Sequence, residues 1–205
     1  EPARFPKRYV AWEGDRRSKA YKDFAAAHPG RTVLTGDESA RVAGMVRAVL
    51  AHPEASALLQ GGEAEVPLSW TTHTGRMAKG RLDYWSRLPG LRVVELKTAR
   101  DASPEAFGRE VVARLYDGAA AWYLDAILAT ESGTPAFAWV AVESEAPYTV
   151  GVYDCPPEVL ARGRALYRRL LEQLEDVERH ESEAVSEGYG RRVLTLPAWA
   201  WTEAA

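Results

Sequence analysis

The sequence predicts an α/β domain with a mixed central β-sheet flanked by helices. Three observations predict it. Apolar residues recur at helical spacing in the first quarter of the chain, the period drops to two from Glu63, and strand-like and helix-like segments then alternate toward the C-terminus. Composition agrees, since 205 residues with 46% hydrophobic and 27% charged content is ordinary for one folded domain and makes no case for disorder. A single domain over residues 1–205 is the expectation.

In chain order, residues 18–28 read as a short helix, and Gly36-Asp37 precedes a second with Val42, Met45, Val46, Val49 and Leu50 at helical spacing. From Glu63, the apolar residues Ala64, Val66 and Leu68 alternate with Glu65, Pro67 and Ser69. A Thr-His-Thr-Gly turn at 72–75 follows, and residues 77–85 resume the extended pattern, which together describe a hairpin. Pro89-Gly90 breaks the chain, and residues 91–98 read as a third strand with β-branched residues at its centre. Ser103-Pro104-Glu105 starts a helix, with a hydroxyl at the N-cap, proline at the first helical position and an acid in the first turn. That helix is expected to run to about Ile127, with Gly118 as the weak point where it can bend. Strands at 136–142 and 148–153 flank a Ser-Glu-Ala-Pro turn. After Pro156-Pro157 a long charged helix runs to about Glu187, with Val159, Leu166, Leu170, Leu174 and Val177 as its buried stripe.

Several function classes are excluded early. No apolar stretch approaches the ~20 residues needed to cross a bilayer, so no membrane partner is expected. One cysteine, Cys155, rules out an internal disulfide and any four-cysteine zinc or iron–sulfur site within the chain, and a reducing cytoplasmic setting is expected. The chain opens Glu-Pro-Ala-Arg-Phe-Pro-Lys with neither methionine nor an apolar signal core, which reads as a chain processed or cut from a longer one. Net charge is −3, so nucleic-acid binding would need a local concentration of bases. One exists: residues 76–114 hold nine Lys and Arg against five Asp and Glu, a balance of +4 in a chain whose remainder carries −7.

The chemistry-bearing residues lie in that basic stretch. Residues two apart on a strand share a face, so Glu95 and Lys97 project to one side and Val94 and Leu96 to the other. Pairing of 77–85 with 91–98 would bring Asp83 beside Glu95, so that two carboxylates and a lysine converge. Such carboxylates raise each other's pKa unless a cation neutralises them, and a divalent metal resolves the conflict. Mg²⁺ is commonly held by one or two carboxylates, keeps several waters and meets phosphate oxygens. By itself, Asp followed twelve residues later by Glu-x-Lys is also what a solvent-facing ion pair on a strand looks like.

Beyond the triad, Lys79-Gly-Arg-Leu-Asp83, Val93-Val-Glu-Leu-Lys-Thr98, Asp101-Ala-Ser-Pro-Glu-Ala-Phe107 and residues 116–124 resemble the exonuclease VIII-like branch of the PD-(D/E)xK nucleases, the superfamily of lambda exonuclease and bacterial recombination nuclease domains. The likeness extends from the opening Glu-Pro-Ala-Arg-Phe through residues 19–59 to 194–199. It implies a restriction-endonuclease-like core and a Mg²⁺- or Mn²⁺-dependent exodeoxyribonuclease acting 5′ to 3′ on linear double-stranded DNA, in a bacterial or phage cytoplasm. A single-strand-annealing recombinase and further copies of the chain are the implied partners. By the same resemblance Asp83 and Glu95 hold the metal, the Leu96 carbonyl adds a ligand, and Lys97 is the catalytic lysine. Glu65 matches an acid that can face the site, or else is an exposed strand residue. Arg81, on the face of Asp83 by two-residue spacing, can hold a phosphate or pair with Glu65 or Glu95. Tyr123 faces the site, and Lys79, Trp85 and Arg100 are candidate DNA contacts.

Two departures from the family pattern stand out. The Gln that the family places four residues before the helical Tyr is here Ala119. The metal-binding His that precedes the segment like Glu1 to Phe5 would lie upstream of this chain, and none of His28, His52, His73 and His180 is a substitute. The competing readings are an inert DNA-binding or assembly module of the same fold, and an endonuclease acting on branched or single-stranded DNA.

Overall fold

The computed structural model describes residues 5–87, 90–130, 133 and 135–179. The chain divides into two compact units, residues 1–167 and 168–205. The first unit holds every strand among the described residues and begins with a small module. There α1 (Phe5–Arg8) leads into β1 (Tyr9–Trp12), and α2 (Lys19–Ala26) separates it from β2 (Thr32–Thr35). The two strands pair in parallel, Tyr9 opposite Thr32 and Trp12 opposite Thr35.

Local capping fixes where the helices start. The Ser18 hydroxyl accepts the Tyr21 N–H at 3.1 Å and opens α2. Thr35 and Glu38 form a reciprocal capping box for α3 (Gly36–Ala51), so Gly36 and Asp37 are the first turn of this helix rather than its preface. Its apolar stripe is narrower than the spacing predicts: Gly44 and Val49 are buried, whereas Val46 and Leu50 are more than half exposed. His52 closes α3, and its ring nitrogen accepts the Ala55 N–H to cap α4 (Pro53–Leu58).

The predicted hairpin forms β3 (Gly62–Thr71) and β4 (Met77–Ser86), closed by the turn between Thr71 and Met77. With β5 (Arg92–Ala99), β6 (Ala136–Glu143) and β7 (Val150–Asp154) they build a five-stranded sheet in the order β3-β4-β5-β6-β7. Only β5 and β6 run parallel. Parallel neighbours need a crossover, supplied here by α5 (Pro104–Ala113) and α6 (Tyr116–Leu128).

The sheet is covered on both sides, and the alternation of β5 and β6 shows how. Val93, Phe137, Trp139 and Ala141 join a cluster with Phe107 and Val111 of α5 and Ala120, Leu124 and Ile127 of α6. Val94, Val140 and Val142 point the other way, to Val49 and Ala55 of α3 and α4. This is the mixed α/β architecture that the sequence predicts, with β6 buried on both faces as parallel strands require and β5 buried on both only up to Glu95, after which Leu96 is 46% exposed.

Two helical expectations are corrected. The helix expected over residues 104–127 is two helices, and it breaks at Leu115, in the left-handed region at φ 57° and ψ 35°, rather than bending at Gly118. Ser103 occupies the N-cap of α5, but its hydroxyl makes no capping bond; instead its N–H donates to Asp101 Oδ1 at 2.8 Å. The last described helix, α7 (Pro157–Arg179), half-buries Val159 and Leu166. In the second unit Leu170, Leu174 and Val177 are 43–54% exposed, because this stretch is charged around most of its circumference, and they do not continue a buried stripe. The predicted extension to Glu187, His180, and the likenesses at 194–199 and at the opening four residues lie outside the described residues.

Cys155 is buried beside the first cluster, and burial first, then the charges of Asp117 and Glu158, push its thiol up to about 12. At pH 8 the native protein is therefore expected to react with iodoacetamide far more slowly than the chain unfolded in guanidinium. Equal rates would contradict this burial. Because the native thiol titrates above its unfolded value, its contribution to stability is intact below the ordinary thiol pKa and fades as pH climbs toward 12.

Candidate active site

Strands β4 and β5 stay paired only from Ser86–Arg92 to Tyr84–Val94, and beyond that they part. Side chains fill the gap. The Leu96 N–H donates to Asp83 Oδ2 at 2.9 Å, and the Asp83 N–H lies 3.4 Å from Glu95 Oε1, so each carboxylate takes a place that a ladder carbonyl would hold. The Lys97 ammonium reaches back two residues to Glu95 Oε2 at 2.5 Å. Asp83, Glu95 and Lys97 thus converge on the side of the sheet covered by α5 and α6, and Glu95 is only 5% exposed.

Electrostatics follow from that placement. Burial, and then the charge of Asp83, raise the Glu95 carboxyl above its ordinary value despite the opposing pull of Lys97. Burial alone would lower the Lys97 ammonium, but its hydrogen bond and charge interaction with Glu95, helped by Asp83 and Tyr116, hold it above its ordinary value. Two carboxylates against one ammonium leave excess negative charge in a poorly solvated place. Among the described residues no group of three or more His, Cys, Asp and Glu converges. The side-chain donors present among the described residues are therefore the two carboxylates of Asp83 and Glu95. An all-oxygen set of this size suits a hard divalent cation that keeps its own waters, and it does not suit structural zinc.

The remaining predicted residues divide. Glu65 and Asp83 fall at the same level of the hairpin, between the paired couples Ala64–Tyr84 and Val66–Leu82. Glu65 adopts φ 60°, and Leu82 and Trp85, three apart, both enter the first cluster, so the in–out alternation of β4 slips by one at Asp83. Two-residue spacing consequently does not carry Arg81 onto the face of Asp83, and that expectation is corrected. Arg81 Nε instead pairs with Glu65 Oε2 at 2.9 Å, with both side chains exposed. Trp85 is also corrected as a DNA contact: it is 3% exposed, packed in the core with the Arg87 guanidinium 5.4 Å above its ring. Lys79 on β4 and Arg100 just after β5 are exposed.

Two tyrosines of α6 complete the surroundings. Tyr123 approaches β4 at Gly80, where a Cβ would stand 2.6 Å from its ring, and it senses the charges of Glu95, Asp83 and Lys97. Burial first, then the two carboxylates, raise its phenol above the ordinary value, which keeps it a neutral donor. Tyr116, unassigned in the sequence, lies two helical turns earlier on the same face, with its ring centroid 5.1 Å from Lys97 Nζ. The seven-residue spacing of these tyrosines was the available signal. Ala119 sits half-buried between them. An apolar cavity of about 220 Å³ opens elsewhere, beside Phe107, Val111 and Val159, and none of the sequence-predicted site residues lines it.

A family model described as a PDDEXK-like domain of unknown function (DUF3799) matches residues 1–189. No curated protein matches the chain. Among solved structures, a protein from Eubacterium rectale described as a candidate exonuclease is 14% identical, over 90% of this chain and 73% of its own, with a TM-score of 0.60. At that identity the likeness establishes the fold, a restriction-endonuclease-like α/β core. A second structure, SSO0001, is 19% identical over 76% of this chain and 69% of its own, and its TM-score of 0.35 adds nothing to that assignment. Among the described residues no helix is long and apolar enough to cross a membrane.

Proposed function

As this chain belongs to the PDDEXK-like domain family, we propose that it is a Mg²⁺- or Mn²⁺-dependent deoxyribonuclease, an exonuclease that hydrolyses one strand of linear double-stranded DNA from its 5′ end. The observation that carries this reading is the convergence of Asp83, Glu95 and Lys97 at a buried site with unneutralised negative charge.

Asp83, Glu95 and the Leu96 carbonyl would hold the cation, which when bound would polarise the scissile phosphate and activate water. The Leu96 N–H keeps the Asp83 carboxylate aimed between the strands. Lys97 orients the attacking water and offsets charge that builds on the phosphate oxygens. Tyr123, held neutral, offers a hydroxyl to water or phosphate. Lys79 and Arg100, both exposed, supply the positive edge on which the DNA backbone lies. On this reading the product is a 3′ single strand for an annealing recombinase, and the working form is a homo-oligomer in a bacterial or phage cytoplasm.

The test is incubation with linear and circular duplex DNA, labelled at either end, in Mg²⁺ or Mn²⁺. Release from the 5′ end of linear DNA is expected, with none in chelator and a fall of roughly 10²–10³-fold in Lys97→Ala, since charge stabilisation of this kind is worth several kcal/mol. Activity that survives chelation or Lys97→Ala would overturn the mechanism. Cleavage of circles would replace the exonuclease with an endonuclease. Ala119, which offers no side-chain amide to the site, favours one further reading: a chain that binds DNA with neither saturable Mn²⁺ binding nor cleavage would be an inert module.

A further inference from the structure

Lys97 has two neighbours of different chemistry. One is the Glu95 carboxylate, 2.5 Å from Nζ, and the other is the face of the Tyr116 ring at 5.1 Å, within reach of cation–π attraction. A divalent cation divides them. Held by Asp83 and Glu95, it would compete for the carboxylate oxygens that Lys97 now engages, and the 2.5 Å ion pair would open. The ring cannot ligate such a cation and keeps its hold on the ammonium. Tyr116 is thus the partner of Lys97 that survives loading of the site.

The fold fixes Tyr116 independently of that contact. Leu115 holds the left-handed conformation with no glycine to ease it, and this corner places Tyr116 at the head of α6. Phe107 of α5 lies alongside, 6.3 Å between ring centroids and tilted by 38°, so the Tyr116 ring is buttressed from behind the helix junction. The next turn of the same face carries Ala119, which brings no polar group toward Lys97.

We propose that Tyr116 is the positioning residue of Lys97, its ring face keeping the ammonium in place when Glu95 turns to the metal; this rests on the metal-dependent nuclease reading of the same site. The hydroxyl has no part in it, which separates the proposal from hydrogen bonding. Tyr116→Phe is therefore expected to keep kcat within about twofold of wild type, while Tyr116→Leu lowers it roughly 10-fold at unchanged KM for DNA, as befits the loss of one partly buried cation–π contact. In a Lys97→Ala background Tyr116→Leu should cost nothing further. A second readout does not depend on turnover: in the Mg²⁺-saturated protein the Lys97 ammonium protons should resonate upfield through the ring current, in wild type and Tyr116→Phe but not in Tyr116→Leu, with Lys97→Ala assigning the signal. If Tyr116→Leu does not fold, Tyr116→Met removes the ring in its place.

Wild-type kcat in Tyr116→Leu, a Tyr116→Phe as impaired as Tyr116→Leu, or no upfield signal in the Mg²⁺-saturated wild type would each overturn the proposal. The two readings fail separately. A wild-type chain with no nuclease activity sinks the function, whereas an active wild type with an unimpaired Tyr116→Leu sinks only the role of the ring.

Discussion

Replacing Glu95 by Gln is expected to abolish cleavage of linear DNA, by roughly 10³-fold or more, while leaving a metal-free protein that melts no lower than wild type. The first half follows from the donor set. With two carboxylates at the site among the described residues, removing one takes away half of their charge toward the cation, and metal assistance is worth several kcal/mol, about a decade in rate for each 1.4 kcal/mol. The second half follows from the raised pKa of Glu95, caused by burial and then by Asp83. A carboxyl whose native pKa lies above its unfolded value contributes its full stability below the unfolded pKa. That contribution fades as pH rises through the native pKa, so at neutral pH the ionised Glu95 opposes folding of the metal-free chain. Gln fills the same space and cannot ionise. The cation reverses the comparison, because a ligand at 100 times its Kd adds about 2.7 kcal/mol to the native state. Melting curves in EDTA and in Mn²⁺ test both halves. Wild type should rise by several degrees with Mn²⁺ and Glu95→Gln should not move, with Asp83→Asn equally unresponsive. A Glu95→Gln protein that still responds to Mn²⁺ would place the metal elsewhere.

That site was legible in the sequence to the extent that short-range periodicity reaches. Glu95 and Lys97 are two apart on a strand, so their shared face is a local property, and β5 keeps its alternation. Asp83 needed the β4–β5 register as well, which the Pro89-Gly90 break made readable. The misplacement of Arg81 has its physical origin in the slip of alternation at Asp83 opposite left-handed Glu65. No Gly or Pro stands at Glu65 or Asp83 to announce it, so a strict period of two carried Arg81 onto the face of Asp83, where the slip keeps it out. How deeply Trp85 sits depends in turn on Phe107, Val111 and Leu124 of helices far along the chain, and local pattern holds no information on that. Tyr116 escaped for a related reason. Its meaning comes from the corner at Leu115, a residue type that ordinarily continues a helix and so gave no sign of breaking one.

Gly163→Ala is expected to destabilise the protein by about 3 kcal/mol, at the upper end of what forced overpacking usually costs. Where α7 crosses α6, a Cβ on Gly163 would stand 2.0 Å from the Asp117 carbonyl oxygen, 2.4 Å from its carbon and 2.9 Å from the Gly118 nitrogen. These are backbone atoms, and none can rotate away. Asp117 is moreover fully buried and ion-paired with Arg162, one residue before the glycine, so separating the helices would also disturb a buried carboxylate. For a chain of this length the loss corresponds to a fall of roughly 6–12 °C in Tm. Gly118→Ala is the control at the same crossing. Its Cβ would meet the tip of the Leu166 side chain at 3.4 Å and the Gly163 carbonyl oxygen at 4.0 Å, both ordinary contacts, and alanine favours the helix interior by about 1 kcal/mol, so this variant should be neutral or more stable. The consequence for function lies in what α6 carries: Tyr116 and Tyr123 ride on it, against Lys97 and against β4 at Gly80. Below its lowered Tm, Gly163→Ala should still bind Mn²⁺ through the strand carboxylates but cleave DNA more slowly, since the strands keep Asp83 and Glu95 together while the helix above them has moved. Equal losses of metal binding and cleavage would mean that α6 supports the carboxylates themselves, and an unchanged Tm would mean that the two helices are not in backbone contact.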